Sequence, residues 1–366
     1  MRHHDQHQHH GSKPEQPYVS RRSFLKLAAS TLSASQLTTA CGGRVGQQQV
    51  RAVTEADRKF RRVGDSKLAI ASCESYEEDI FKLLKPLLKD IDMPDLTGKS
   101  VLIKPNIVDS IAGHPLTTQP EMLKVAAELA DYLGAKEIII AEGPAHNRDT
   151  ERILDQSGMA KMISKLGLRF VDLNVDDLEK LENPNGFSKL TTLFLPRTVL
   201  AADVVLSLPK LKTHHWARLT CSMKNLYGTV PGRKYGWPKN TLHFAGIDNC
   251  ILDLTRLIKP SLQLVDAVVA MEGDGPLYGT AKKANFVMLG TDPVAVDSTC
   301  ARIMGIDPKN VPYLHVGGQV IGNADPERIK IFGTEFAKVA TNFQPAPTFD
   351  AVGREIKHQD ATTSSS

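Results

Sequence analysis

The sequence predicts a doubly wound α/β fold, in which a mostly parallel sheet carries helices on both faces. Short segments rich in β-branched residues and leucine alternate with longer segments whose apolar positions recur at helical spacing. Such alternation is typical of βαβ units. Four of the predicted strands also end in clusters of polar side chains. This pattern is expected where the carboxyl ends of parallel strands form a ligand-binding edge.

The first half of the chain alternates predicted strands with predicted helices. Residues 76–88 and 119–133 carry apolar side chains three or four positions apart, the spacing that places them on one face of a helix. Gly134 follows the second of these helices and is a typical stop signal. The remaining elements predicted here are strands 67–73, 100–104, 137–141, 168–173 and 190–195 and a helix over 150–166.

The second half continues the alternation. Asp292 precedes Pro293, which is the N-cap and first-turn arrangement that starts a helix. Asp297 lies one turn into that helix, where a buried carboxylate needs a bonding partner or a functional role. We assign structural or orienting roles to Asp266, Asp292 and Asp297. The other elements predicted here are strands 204–208, 262–270, 285–289 and 328–332 and helices 246–257 and 312–320.

Composition and charge favour an ordinary globular protein. The chain of 366 residues is 41% hydrophobic and 23% charged, with a net charge of +4, and it is long enough to bury a substantial core. It contains no long basic stripe, so nucleic acid is not an expected partner. No apolar run approaches the roughly 20 residues that a membrane-spanning helix needs.

The first 41 residues predict an export leader. Arg21 and Arg22 precede a weakly hydrophobic stretch over 24–40, the pattern of a twin-arginine signal. The predicted partner is therefore the twin-arginine export machinery, and the predicted location is the periplasm or cell envelope. Cys41 is a candidate lipidation site, and that lipid is the only membrane anchor expected. We assign 42–60 to a linker, 61–340 to the α/β domain and 341–366 to a tail.

The cysteine pattern argues against two common cofactors. No Cys-x-x-Cys motif occurs anywhere in the chain, so an iron–sulfur cluster or a structural zinc site of the usual spacing is not expected. Buried free thiols are favoured, although an exported protein could form disulfides and the sequence does not assign pairs. The cysteines concerned are Cys73, Cys221, Cys250 and Cys300.

A cationic segment follows the predicted strand 204–208. Residues 210–225 contain no acidic side chain, and we expect them to form a loop at the carboxyl end of that strand. Lysine and arginine supply charge-assisted donors, so the segment favours a carboxylate or phosphate ligand. Its lysine, arginine, histidine and asparagine side chains are Lys210, Lys212, His214, His215, Arg218, Lys224 and Asn225.

The polar clusters after four strands are expected to share one edge of the sheet. They occupy residues 104–106, 142–148, 210–225 and 272–276. Carboxylates beside lysines in a cleft have shifted pKa values suited to proton transfer, and carboxylates beside histidines could bind a divalent metal. The next segment, 228–243, is either a lid over this edge or a packed surface excursion.

Several catalytic motifs are absent from the sequence. It has no serine nucleophile elbow, His-Glu-x-x-His, Walker loop or Gly-x-Gly-x-x-Gly. The classical hydrolase, metalloprotease, nucleotidase and dinucleotide-dependent classes therefore lose support.

The chain resembles the DUF362 family, whose biochemical activity is generally unassigned. The resemblance covers about 68–333 and rests on Lys-Pro-Asn at 104–106, Leu-Pro-Lys-Leu-Lys-Thr-His at 208–214 leading to Met-Lys-Asn-Leu-Tyr-Gly at 223–228, Glu-Gly-Asp-Gly-Pro at 272–276 and Gly-Thr-Asp-Pro-Val-Ala-Val-Asp at 290–297. Some relatives carry a ferredoxin-like module with iron–sulfur clusters, and this chain lacks the cysteines for one. A weaker similarity is to the amino-terminal part of the nickel-pincer lactate racemase family. The first strand-end motif of that family is replaced at 104–106, and the second keeps only His146 and Arg148 with altered spacing, so the resemblance does not imply that cofactor.

These observations lead to three functional hypotheses. The first is an exported enzyme that acts on a small anion, with or without a divalent metal. The second is a non-catalytic periplasmic protein that binds a ligand or handles a cofactor, and the third is a redox protein. The candidate catalytic residues are His214, Glu272 and Asp274; the candidate substrate-binding residues are Lys104, Asn106, Lys212, Arg218, Lys224 and Asn225; and the candidate metal ligands are Glu142, His146 and His215.

Overall fold

The computed structural model of the protein describes residues 49–356, except for 60, 63, 112 and 145–148. Its strands are β1 (Ser66–Ser72), β2 (Ser100–Pro105), β3 (Glu137–Glu142), β4 (Arg169–Asp172), β5 (Leu178–Glu182), β6 (Thr192–Pro196), β7 (Val204–Leu208), β8 (Lys210–His214), β9 (Arg218–Thr220), β10 (Leu262–Glu272), β11 (Thr280–Gly290) and β12 (Ile329–Gly333).

The helices of the same residues lie mainly between these strands. They are α1 (Glu55–Arg58), α2 (Ile80–Leu84), α3 (Pro120–Tyr132), α4 (Thr150–Gln156), α5 (Met159–Leu166), α6 (Arg197–Ala201), α7 (Ser222–Asn225), α8 (Gly232–Tyr235), α9 (Asn240–Phe244), α10 (Ile247–Ile258), α11 (Pro293–Ile303), α12 (Pro312–Val320) and α13 (Phe336–Val339). No helix in this part of the chain is long and apolar enough to cross a membrane.

A ten-stranded sheet forms the centre of the fold, with the order β12-β1-β11-β10-β7-β2-β3-β4 and the hairpin β8–β9 attached to β10. Within the eight-strand path, β11 pairs antiparallel with both β1 and β10, and every other pair is parallel. The carboxyl ends of β2, β3, β7 and β10 therefore lie at one edge. The predicted α/β fold with a mostly parallel sheet is confirmed.

Helices cover both faces of this sheet. Along β1, Leu68 and Ile70 belong to the core that α10, α11 and α12 cover, while Ala69 and Ala71 belong to the core under α2, α3, α4 and α5. Successive side chains of a strand point to opposite faces. Strands buried on both faces therefore appear in the sequence as continuous apolar runs.

Three segments differ from the sequence predictions. The strand predicted over 190–195 is β6, which pairs only with β5 in a separate two-stranded sheet. The helix predicted over 150–166 is divided at Gly158, whose φ of 76° lies in the left-handed region. The described part of the predicted tail packs on the domain, since Phe343 and Phe349 are buried and the carbonyl of Gly353 accepts a hydrogen bond from Arg218.

The cationic segment after Pro209 is a strand and not the expected loop. β8 follows β7 directly and pairs with β10, aligning Lys210 with Asp266 and Lys212 with Met271. It then turns back as β9, with His214 opposite Arg218. Both strands of the hairpin are buried along their length, so their cations are directed into the protein instead of lying on a solvated surface.

Candidate functional site

A cavity of about 340 Å³ opens at the carboxyl edge of the parallel strands. We call it the strand-end cavity. Residues that follow β2, β3, β8 and β10 line it, together with α7 and the segment 228–243, and its apolar walls include Trp216, Tyr227 and Leu277. Its polar lining includes Asn106, Glu142, Lys212, His214, Lys224 and Asn225. The structure therefore brings residues from all four strand-end clusters to one cavity. The cluster 272–276 contributes only Pro276.

A buried ion pair of Lys104 and Glu142 lies at the strand-end cavity, which Glu142 lines. The Nζ atom of Lys104 donates to a carboxylate oxygen of Glu142, to the carbonyl of Pro105 at 2.8 Å and to Oδ1 of Asn225 at 3.0 Å. Burial lowers the pKa of Lys104, and the charge of Glu142 opposes that shift. Asn225 also donates to the carbonyl of Lys104 and to Ser207. These groups are bound to one another, which gives them a scaffolding role.

Lys239 fixes the segment 228–243 against the strand ends. Its ammonium donates to the carbonyls of Gly143, Tyr227 and Gly228, at 2.6, 3.1 and 3.3 Å. Burial lowers the pKa of Lys239 to about 7. The segment is thus a packed wall of the cavity. The sequence analysis did not single out Lys239, and its only sequence signal is the concentration of cations and aromatic residues around it.

Among the described lysines that line the cavity, Lys224 is the one whose ammonium makes no hydrogen bond within the protein's described residues. Its Nζ atom lies 4.2 Å from the centroid of the Tyr227 ring, and it makes no hydrogen bond to any residue that the structure describes. Burial, followed by repulsion from Lys104, lowers the pKa of Lys224 to about 7. Lys212 is fully buried and donates to the carbonyl of Leu116 at 2.8 Å. Burial and then the charge of Lys224 hold the pKa of Lys212 well below its ordinary value.

Asn106 presents a second unsatisfied polar group. Its side chain lines the cavity and is 7% exposed, and its Oδ1 atom has no hydrogen-bond partner within the described part of the chain. Buried polar atoms in native proteins nearly always have a partner. A ligand or a water molecule in the cavity would supply the missing one.

Three histidines line the same cavity. Nδ1 of His214 lies 3.0 Å from the backbone nitrogen of Trp216, whereas Nδ1 of His215 and Nδ1 of His243 face the carbonyls of Gly275 and Lys239. The Trp216 ring packs between His215 and His243, with centroids 4.9 and 5.0 Å away. Burial and the nearby charge of Lys224 lower the pKa of His243 to about 3 and hold that of His214 well below its ordinary value.

The charge of the cavity lining is predominantly positive. Glu142 is the only carboxylate among its described lining residues, and it is paired with Lys104. Lys212, Lys224 and Lys239 therefore have no carboxylate partner of their own there. Such a surplus of positive charge in a desolvated site favours an anion.

Two predicted catalytic carboxylates lie outside the cavity. β10 remains paired with β11 as far as Glu272, which lies opposite Thr280. Of the turn that follows, only Pro276, Leu277 and Tyr278 line the cavity. Glu272 accepts a hydrogen bond from the backbone of Gln344 and pairs with Lys282 at 3.3 Å. Asp274 is exposed in the turn.

Arg218 does not line the cavity, contrary to the predicted anion-binding role. Its Nε atom donates to the carbonyl of Gly353 at 3.0 Å, and its guanidinium lies 4.5 Å from the centroid of the Phe349 ring. The hairpin directs it to the segment 341–356. Arg218 therefore attaches that segment to the domain.

The three aspartates assigned to orienting roles have such contacts. Asp266 binds Lys210 at 2.7 Å, and Asp292 caps α11 by accepting from the backbone of its first turn. Asp297 accepts hydrogen bonds from the backbone nitrogens of Ser222 and Met223, at 2.8 and 3.0 Å. Burial raises the pKa of Asp297 to about 6. Because these bonds hold the start of α7, Asp297 positions Lys224 and Asn225.

The described residues do not fit a divalent metal. They contain no group of three or more His, Cys, Asp or Glu side chains arranged to hold one. Of the predicted ligands, Glu142 is bound by Lys104, and His146 lies outside the described residues, as does Cys41. The neighbouring ammonium groups would also repel a cation. The cysteines in the described chain, Cys73, Cys221, Cys250 and Cys300, are buried and free.

Comparison with known proteins identifies relatives of this chain. The model of DUF362, a domain of unknown function, matches residues 101–302. The thylakoid-associated protein sll1697 of Synechocystis sp. (strain ATCC 27184 / PCC 6803 / Kazusa) is 27% identical over 223 residues, which cover 59% of this chain and 66% of that protein. The match thus spans slightly less than two thirds of that relative's length.

Two solved structures are more distantly similar. The lactate racemase apoprotein from Thermoanaerobacterium thermosaccharolyticum is 15% identical, with a TM-score of 0.41 over 69% of this chain and 59% of that one. A protein from Thermotoga maritima is 12% identical, with a TM-score of 0.32 over 58% of this chain and 54% of that one. At these values neither structure bears on the chemistry of the strand-end cavity.

Proposed function

The chain belongs to the DUF362 family, and we propose that it is an enzyme that acts on a small carboxylate or phosphate bound in the strand-end cavity. The observation that carries this proposal is the Lys224 ammonium, which lines the cavity without a hydrogen bond to any described residue. An ammonium held away from water gains most from an anionic partner. The cavity volume of about 340 Å³ suits a small molecule.

Proton transfer is the chemistry that the available groups support. A general acid or base works best when its pKa lies near the operating pH, and the pKa of Lys224 is lowered to about 7. Lys239 has a similar pKa, but its ammonium is engaged by three carbonyls. We therefore assign anion binding and proton exchange to Lys224, a further anion contact to Lys212, and to Asn106 Oδ1 the acceptance of a hydrogen bond from a donor group of the ligand.

Replacing Lys224 tests this proposal. We expect Lys224→Met to abolish the binding of acetate and inorganic phosphate, measured by isothermal titration calorimetry, while the melting temperature of the ligand-free protein is retained. Lys234→Met is the matched control, because Lys234 also lies 4.2 Å from an aromatic centroid, that of Phe194, but does not line the cavity. Normal anion binding by Lys224→Met would refute the assignment.

A non-catalytic binding protein is the second candidate. It is favoured by the position of Glu272 and Asp274 outside the cavity and by the pairing of Glu142 with Lys104, which leave no unpaired carboxylate among the described lining residues. Saturable anion binding without turnover of any of a panel of carboxylates and phosphate esters would support this candidate over the enzyme.

Export by the twin-arginine route is also part of the proposal. It rests on the sequence pattern around Arg21 and Arg22, which lies outside the described residues, as does the candidate lipidation site Cys41. The variant Arg21→Lys/Arg22→Lys should accumulate in the cytoplasmic fraction of the producing cells. Unchanged recovery of this variant in the envelope fraction would contradict the proposed route.

A further inference from the structure

We propose that His214 is a fixed hydrogen-bond donor in the strand-end cavity, with its Nε2–H directed to an oxygen atom of the bound anion. In this role the ring neither accepts a proton nor binds a metal ion. The inference rests on the proposed function, because it names one contact that the anion makes. It replaces the acid–base or metal-binding role expected for this residue from the sequence.

The backbone determines which nitrogen of His214 carries the proton. Nδ1 lies 3.0 Å from the backbone nitrogen of Trp216 and 3.2 Å from that of Ala217. A backbone N–H can only donate, so Nδ1 must be unprotonated to accept these two bonds. A neutral imidazole has one N–H, which is then at Nε2.

His215 and His243 carry their ring proton on the other nitrogen, Nδ1. Nδ1 of His215 lies 2.9 Å from the carbonyl oxygen of Gly275, and Nδ1 of His243 lies 3.2 Å from that of Lys239. A carbonyl can only accept, so both of these Nδ1 atoms carry a proton. The cavity thus combines a donor at Nε2 of His214 with two rings whose Nε2 atoms are acceptors when neutral.

The Nε2–H of His214 has no partner among the residues that the structure describes. The side chain is 4% exposed and lines the cavity, and Nε2 makes no hydrogen bond to any described residue. A buried donor left without an acceptor carries an uncompensated desolvation cost. An anion oxygen would remove that cost by accepting the Nε2–H, and it would also accept from the Lys224 ammonium.

The same geometry excludes the roles of base and metal ligand. Either role needs a free lone pair at Nε2. The proton of the neutral ring would then have to be at Nδ1, where it would face two backbone N–H groups. Burial and the charge of Lys224 also disfavour the doubly protonated ring, since they hold its pKa well below the ordinary value. A neutral imidazole that donates to an oxygen can stabilise negative charge developing there. Any proton exchanged with the substrate is then carried by Lys224.

Nitrogen NMR on the full chain labelled with ¹⁵N-histidine tests the tautomer without any ligand. His214→Gln should delete a signal from a neutral ring with protonated Nε2 and bare Nδ1 in the spectrum recorded at pH 7. His215→Gln, the matched control, should delete a signal with protonated Nδ1. A His214 ring that carries its proton on Nδ1, or on both nitrogens, at pH 7 would overturn the inference.

Addition of inorganic phosphate then separates the two proposals. We expect phosphate to shift the Nε2–H resonance of His214 in the wild type and to leave it unshifted in Lys224→Met. If phosphate binds by calorimetry but the resonance does not move, this inference fails and the proposed function stands. If phosphate and acetate both fail to bind, the proposed function fails, while the ligand-free spectrum still decides the tautomer.

Two replacements provide an independent comparison. Glutamine can offer an N–H to the anion and an oxygen to the backbone, so His214→Gln should bind phosphate within a fewfold of wild type. His214→Phe offers neither, and it should weaken binding by about tenfold or more, since a hydrogen bond to a charged group contributes about 1.5–3 kcal/mol. Equal affinities of the two folded variants would contradict the donor role.

Discussion

Buried lysines in this protein differ in whether their ammonium groups are satisfied. Lys104 and Lys239 each have three acceptors. Lys210 binds Asp266, the hydroxyl of Tyr76 and the carbonyl of Val269. These three lysines hold strands and loops together. The Lys224 ammonium lies against the Tyr227 ring and makes no hydrogen bond to a described residue, which is why the anion-binding assignment rests on it.

Anion binding should depend on pH through Lys224. Because burial lowers its pKa to about 7 and a bound anion would raise it again, the ligand-free lysine must take up a proton to bind above neutrality. The affinity for acetate, measured by calorimetry, should be greatest below pH 7 and fall by up to about tenfold per unit above it. The acetate affinity of Lys224→Arg should fall less steeply with pH, since arginine stays charged. An affinity of the wild type that is constant from pH 6 to 9 would contradict this role.

At the scale of elements, the hairpin β8–β9 and the short helix α7 bring the site residues together. The hairpin carries Lys212 and His214 into the cavity, and Asp297 of α11 holds the start of α7. The turn that follows α7 then passes close to the ion pair of Lys104 and Glu142. The geometry of the site therefore depends on backbone positions as well as on its side chains.

Gly228 is required for this close approach. A methyl group at this position would overlap a carboxylate oxygen of Glu142 and the Nζ atom of Lys104. We expect Gly228→Ala to lower the free energy of unfolding in urea by about 2 to 3 kcal/mol, because overpacking strains the buried pair. In the control Gly317→Ala, the nearest atom would be Cγ2 of Val294 at 3.3 Å, and the change should stay within about 1 kcal/mol. Wild-type stability of Gly228→Ala would show that the turn can move away.

At the scale of the whole molecule, the stability of the protein should rise with pH just above neutrality. Burial lowers the pKa values of Lys224 and Lys239 to about 7, whereas the unfolded chain keeps ordinary lysines with pKa values near 10.5. Between these values the unfolded chain binds more protons, so the free energy of unfolding increases with pH. Above about pH 8.5 the trend reverses in part, because burial raises the pKa values of Cys73, Cys250 and Tyr76.

Urea unfolding in the absence of anions measures this effect. Lys224 and Lys239 should each increase the free energy of unfolding by about 1.5 kcal/mol between pH 7 and 8.5. Lys224→Met should remove about half of that increase. A free energy of unfolding that is flat or falls over this range would mean that the lysines are not desolvated as the structure shows.

The sequence by itself determined the architecture, the family and the region of the site. Apolar periodicity is a property of near neighbours in the chain, so it predicted α12 at its observed bounds and placed most strands of the main sheet within a few residues. Because parallel strands end at a common edge, the polar residues after them were expected to meet, and Asn106, Glu142, Lys212 and Lys224 line one cavity.

Only the tertiary structure decided which polar residues are available there. Arg218 is engaged by a carbonyl 135 positions away, and Lys239 by one 96 positions away. Neither spacing nor composition encodes such partners. The pairing of β10 with β11 excludes Glu272 from the cavity, and backbone N–H groups select the tautomer of His214. The charge and proton state of a buried side chain depend on what surrounds it in space, whereas the local sequence specifies the strand or helix that carries it.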